Sequence, residues 1–147
     1  MSAPILQWAT SDEDMAHCYA IRFEVFVEGQ NVPEELEIDE YDPVARHLLI
    51  LASDGQPAGT ARMMLDTPSP GWVKIGRVAV REKYRGQGLA RLLMRGLEDE
   101  AREAGQTRAV LDAQVAVIPM YEKLGYQAHG PVFDDAGIDH RKMTRTL

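Results

Sequence analysis

Cysteine is almost absent from this chain: Cys18 stands alone among 147 residues. A single thiol closes no intramolecular disulfide, and one Cys with four His shows no paired metal-ligand spacing, so the sequence predicts neither a disulfide framework nor a metal site. A long apolar run is also missing. The longest, Leu48 to Ala52, falls far short of the ~20 residues that span a bilayer, and no basic stretch followed by an apolar core opens the N-terminus. These absences predict a soluble, unprocessed protein of a reducing cytoplasm, without a membrane partner. Positive charge is in deficit as well. With 16 Lys and Arg against 23 Asp and Glu, the formal net charge is −7, which argues against a nucleic-acid partner because binding phosphates needs a basic face.

What is present suffices for one compact domain over residues 1–147: the chain is 45% hydrophobic, and ~150 residues bury about 70% of their unfolded surface. Its charge is segregated. Arg81, Lys83, Arg85 and Arg91 surround a glycine pair, whereas Glu34, Glu35, Glu37, Asp39, Glu40 and Asp42 crowd an earlier segment. One end suits an anion and the other a cation.

Ser11 with Asp14 three residues later reads as a helix N-cap, and Met15, Cys18, Tyr19, Val25 and Phe26 recur at helical spacing, predicting a helix from Asp12 to Phe26. The segment from Glu28 to Pro43, broken by Gly29 and Pro33, reads as a loop with one short helical turn. The run from His47 to Ala52, the Asp54-Gly55 turn and the return from Ala58 to Leu65 predict a hairpin, followed by a strand from Val73 to Val80. In that strand Val73 and Ile75 share one face, but Val78 and Val80 resume out of phase, so a β-bulge is expected at Gly76 and Arg77. Leu89, Leu92, Leu93, Leu97, Ala101 and Ala104 line one side of a helix that Gly105 stops. A strand from Arg108 to Gln114, a short helix from Pro119 to Leu124 and strands from Tyr126 to His129 and Ile138 to Thr146 complete a mixed α/β pattern.

Between the strand ending at Val80 and the helix beginning at Leu89 lies Arg85-Gly86-Gln87-Gly88-Leu89-Ala90. Glycines here let the main chain approach a ligand, and the bare N–H groups at the helix start attract phosphate oxygens, as a pyrophosphate would supply. A P-loop would need Lys and Ser or Thr where Leu89 and Ala90 stand. A dinucleotide fingerprint would need a small residue where Arg91 stands. Read as Arg-x-x-Gly-x-Ala, the turn resembles the acyl-CoA loop of the GNAT superfamily of N-acetyltransferases. The second family signature, a strand leading to a Tyr-bearing short helix, is matched by the stretch from Leu111 to Tyr126, and the segments Arg22 to Asp42 and Phe133 to Met143 resemble the ElaA-like branch.

The resemblance implies an α/β (α+β) fold: a mixed, mostly antiparallel sheet of about six to seven strands flanked by about four helices, with a bulged central strand and a splayed acyl-CoA wedge. It implies that Arg85, Gly86, Gln87, Gly88, Leu89 and Ala90 hold the pyrophosphate of acetyl-CoA, with pantetheine along Val78, Ala79 and Val80 and beside Gln114. The implied chemistry is direct acetyl transfer to a primary amine of a small molecule or peptide, without a metal. The Val78 N–H then meets the developing oxyanion and Tyr121 acts as general acid toward the leaving sulfur. The base stays open among Glu34, Glu37, Asp39, Glu40, His47 and His140. Arg62 and Arg77, each interrupting an apolar strand, are candidates to orient a substrate carboxylate. A non-catalytic CoA-binding regulatory module is the alternative, and the sequence is compatible with a monomer or a homodimer.

Overall fold

The computed structural model describes residues 2–147. Its strands are β1 (Ile5–Trp8), β2 (Arg46–Leu51), β3 (Pro57–Met64), β4 (Trp72–Val80), β5 (Arg108–Gln114), β6 (Gln127–Asp135) and β7 (Ile138–Thr146). They form one seven-stranded sheet in the order β1-β2-β3-β4-β5-β7-β6, flanked by helices α1 (Asp12–Arg22), α2 (Glu34–Glu37), α3 (Leu89–Glu103) and α4 (Ile118–Lys123). All neighbours pair antiparallel except β4 and β5, and that parallel pair requires the crossover that α3 provides.

The apolar run of β2 is buried on both faces. Leu48 and Ile50 pack with Leu93 and Leu97 of α3, whereas Leu49 packs on the opposite side with Cys18 and Ile21 of α1, as the two-residue period of a strand dictates. Burying both faces also removes water from the sheet's centre. Beyond β4 that cover stops on one face, and a cleft opens there.

Ser11 caps α1 by accepting the Asp14 N–H at 3.1 Å. The regular helix ends at Arg22 rather than Phe26, and the chain continues as a wider π-helical turn, Phe23–Glu28, with Val25 buried and Phe26 at the wall of the cleft. The α3 stripe is turned from the expected one as well: Met94 and Glu98 are buried, Leu92 is half-buried and Ala104 is exposed. Strand β1 was not foreseen, being only four residues long. Strand β6 runs past His129 to Asp135, because a bulge around Gly130 and Pro131 lets pairing resume at Phe133 opposite His140.

The central strand bulges at the expected place. Thr60 pairs with Ala79 but Arg62 pairs with Gly76, so Ala61 spans both Arg77 and Val78, and Arg77 sits at φ +51°. Pairing between β4 and β5 ends at Ile75 opposite Leu111. From there β5 stays with β7, up to Gln114 opposite His140, and the main chain of β4 diverges as a wedge. Among the described residues no helix is long and apolar enough to cross a membrane.

Candidate active site

Gly86 at φ +80° and Gly88 at φ +76° are left-handed, and a Cβ built on either meets nothing within 4 Å. Handedness, not crowding, demands glycine here, and the space above the turn is open. Leu89 anchors the helix start in the core, while Gln87 is exposed and Ala90 half-buried. Gly88 caps α3 without any side-chain partner, and no backbone acceptor among the described residues meets the N–H groups of Gly86 to Ala90. The turn therefore presents bare donors at the positive end of a 15-residue helix. Arg85 donates from Nε to the Val80 carbonyl at 3.0 Å, while Arg81 is engaged by Glu24 at 3.1 Å and by the Pro57 carbonyl at 3.0 Å.

A cleft of about 1090 Å³ begins at the wedge, where Gly76, Arg77 and Val78 face Gln114, Val117 and Tyr121. Ala79 is buried and Val80 half-buried, and neither lines this cleft. Tyr121 is only 7% exposed, and burial pushes its phenol up to about 12, which keeps the proton in place throughout the neutral range. Its ring meets Tyr126 edge-on at 6.0 Å, and the Tyr126 hydroxyl donates at 2.7 Å to fully buried Glu98, which also receives Arg95 and Arg145. Helix α4 is thereby tied to α3 and β7. The Gln114 amide forms a reciprocal pair with Gln30, at 3.2 and 2.8 Å.

The acidic segment on the far side of the cleft is not a solvated loop. Arg22, fully buried, donates to Glu37 at 2.7 Å, to the Glu37 carbonyl at 2.8 Å and to both Asp42 oxygens at 2.8 and 3.1 Å. Arg62 takes both oxygens of Asp39 at 2.7 and 2.8 Å and one of Asp42 at 2.9 Å. Arg77 donates to the Glu37 carbonyl at 3.0 Å and to Asp39 at 3.2 Å. Three guanidinium groups thus neutralise three carboxylates. Burial alone would push the Asp42 carboxyl up, but the hydrogen bonds and charge of Arg22, with the Asp39 N–H and Arg62, hold it well below the usual range. Asp39 is lowered likewise: Arg62, then Arg77, outweigh its desolvation.

This network alters several expectations. Arg62 and Arg77 line the cleft, but Arg62 commits Nη1 and Nη2 to Asp39 and Asp42, and Arg77 commits Nε and Nη2 to the Glu37 carbonyl and Asp39, so both already serve the protein's own acceptors. Glu37 lines the cleft but is 4% exposed and bound by Arg22, which removes it as a free base. His47 is buried outside the cleft wall, its Nε2 donating to the Asp42 carbonyl at 2.9 Å, and burial lowers its pKa. Glu40 and His140 do line the cleft. Arg22, Gln30 and Glu98 are supporting residues that the sequence reading did not single out, and Asp42, read there as one of an acidic cluster, is a buried partner of Arg22 and Arg62. The available signals were Arg22 beside the Cys18–Ile21 stripe and Glu98 one residue beyond Leu97, both at core-facing helical positions.

A sheet split at a bulged strand that leads into a bare glycine turn, with a phenol in the opening, defines the N-acetyltransferase architecture of the GNAT type. The chain belongs to the acetyltransferase (GNAT) domain family, whose model matches residues 10–147, and is an acyltransferase enzyme. It is 34% identical over 139 residues to YjcF of Bacillus subtilis (strain 168), described as an uncharacterized N-acetyltransferase, covering 93% of this chain and 96% of that protein. Among solved structures, an acyl-CoA N-acyltransferase from Pseudomonas aeruginosa matches at 31% identity and TM-score 0.82, over 96% of this chain and 99% of that one. Escherichia coli ElaA matches at 26% identity and TM-score 0.82, with the same coverage of both chains.

Proposed function

We propose that this chain moves an acetyl group from acetyl-CoA directly onto a primary amine whose carrier is apolar and has no carboxylate beside the nitrogen. The single observation that carries the reading is that the bulged strand at Val78 lines one cleft with the Tyr121 phenol and runs on, through Val80, into the bare turn at Gly86 to Ala90. Acetyl-CoA supplies an activated thioester. The main-chain amides of the turn suit its diphosphate, the Val78 N–H suits an oxygen on which negative charge develops, and Tyr121 donates a hydrogen bond toward the departing sulfur. With its pKa raised, Tyr121 stabilises the thiolate as a lasting donor rather than ionising itself. Direct transfer fits because Cys18, the chain's one thiol, is buried in the core with burial pushing its pKa up.

The acceptor side supports the amine's character. With Arg62 and Arg77 occupied, an α-amino acid has no bidentate clamp, whereas Glu40 offers a free carboxylate for a cation. Leu36, Tyr41 and Val44 expose 55%, 47% and 76% of their surface along the same wall, which suits an apolar body. This reading takes residues 1–147 as one domain acting in the cytoplasm.

The test is a thermal-shift titration with acetyl-CoA, CoA, NAD and ATP, followed by free-thiol release against 2-phenylethylamine, spermidine, glucosamine and glutamate. Stabilisation by the CoA species alone, with thiol release greatest for 2-phenylethylamine and least for glutamate, is expected. Stabilisation without thiol release from any amine would instead favour a CoA-binding regulatory module. Preferred turnover of glutamate would overturn the acceptor assignment.

A further inference from the structure

We infer that His140 is the proton acceptor for the incoming ammonium group, an assignment that rests on the acetyl-transfer reading above. Geometry removes most alternatives. Glu37, Asp39 and Asp42 are committed to Arg22, Arg62 and Arg77; His47 is buried away from the cleft; Glu34 does not line it. Glu40, exposed at the rim, and His140 remain of these; Asp66, Asp112 and Asp135 line the cleft too, but Asp66 lies past the end of β3, Asp135 at the tip of β6, and Asp112 faces Lys74 at 3.8 Å, so His140 is the group at the wedge. It lies directly opposite Gln114, the last residue of β5, on the strand that β5 follows as it parts from β4.

The ring is prepared for the role. Its Nδ1 is 2.7 Å from the Ile138 carbonyl, which can only accept, so Nδ1 carries a proton and, in the neutral ring, the lone pair falls on Nε2. Phe133, opposite on β6, stacks on the ring at 6.0 Å between centroids and 24° between planes. The β6 bulge at Gly130 and Pro131 is what brings that phenylalanine into register. A hydrogen bond to one nitrogen and a stacked face fix the imidazole while leaving its basic atom available to the cleft that it lines.

The proton balance is simple. The acceptor nitrogen begins as R–NH₃⁺ and ends as an amide with one hydrogen, so it loses two protons. Nε2 removes the first and passes it to solvent; the nitrogen lone pair forms the N–C bond as the C–S bond breaks. The second proton ends on the thiol sulfur, and the net release is one proton per turnover. The ionisable groups placed around the ring are Asp134 and Asp135 on β6, Asp139, Arg141 and Lys142 on β7, Asp112 on β5 and Tyr121 on α4.

Two measurements on the full chain test the assignment. With 2-phenylethylamine as acceptor, His140→Gln should lower kcat/KM at pH 7 by roughly 100-fold. Its rate should then climb about tenfold per pH unit, as the amine's own neutral fraction does, while the wild type levels off. The thermal shift produced by CoA should be equal in both, which separates this loss from misfolding. Independently of any acceptor, long-range ¹H–¹⁵N spectra should contain one neutral Nδ1–H histidine that vanishes in His140→Gln. A pH profile with the same plateau in the variant, or an Nε2–H tautomer for that ring, overturns the assignment. Absence of thiol release from the wild type with every amine defeats the acetyl-transfer reading instead, and the tautomer result then still decides the ring's geometry.

Discussion

On the proposed donor side, beyond the end of β4, the turn from Arg85 to Ala90 offers main-chain amides and two left-handed glycines. On the acceptor side, the segment around α2 is held by side-chain charge, with Glu37, Asp39 and Asp42 set against Arg22, Arg62 and Arg77. The two constructions fail in different ways. Main-chain donors survive most side-chain changes and are lost when a Cβ disturbs the backbone. A buried charge network is damaged by any single deletion, because each carboxylate is shared by two arginines and removing one leaves two buried acids under-compensated.

The largest expected effect follows from breaking the charged side. Arg22→Ala leaves Asp42 with Arg62 alone and Glu37 with only the longer 3.5 Å contact to Arg77, and should cost about 3–5 kcal/mol, seen as a fall in Tm on the order of 10 °C. A loss below about 1 kcal/mol in urea denaturation would mean that the segment holds without its central cation. Next comes the group between the two sides: Tyr121→Phe should lower kcat roughly 100-fold with CoA affinity unchanged, and an unaltered kcat removes the phenol from the chemistry. On the donor side, Gly88→Val forces a β-branched residue into the left-handed region at a cost of about 1–2 kcal/mol, and the affinity for CoA by calorimetry should weaken about tenfold or more. Native affinity in that variant would deny the turn its role.

The smallest effect, and the sharpest for the comparison, is acid sensitivity. The folded Asp39 and Asp42 carboxyls hold protons less tightly than in the unfolded chain, so their stabilisation is complete above the unfolded value near 4 and is lost as pH falls through the folded values. His47 is also depressed when folded: the unfolded chain gains the extra proton first, and stability declines as pH drops below about 6.5. Denaturation midpoints at pH 8, 6 and 5 should fall less for His47→Gln than for the wild type between the first and last of these. CoA-loop variants should leave that pH dependence as it is.

The donor half was legible in the sequence because its signals are local. Positive φ needs glycine, a helix start exposes N–H groups, and a phase slip between Ile75 and Val78 announces a bulge; each is written within a few consecutive residues. The acceptor half is assembled from partners distant in the chain. Arg22 meets Asp42 across 20 positions and Arg77 meets Asp39 across 38, and no periodicity marks which acid belongs to which arginine. The same reason hid the extension of β6, where pairing resumes beyond a Gly-Pro interruption that reads locally as an end.

Arg77 joins these two halves. Its backbone adopts the left-handed bulge one peptide before Val78, and its guanidinium is gripped by Asp39 and by the main chain of the acidic segment. A transplant of residues 34–45 intended to change amine preference would cut the brace that steadies the bulged strand, so selectivity and the alignment of Val78 would drift together. Redesign of the acceptor is better begun from the β6–β7 turn at Asp135 and Ala136, which borders the same opening yet carries neither that brace nor His140.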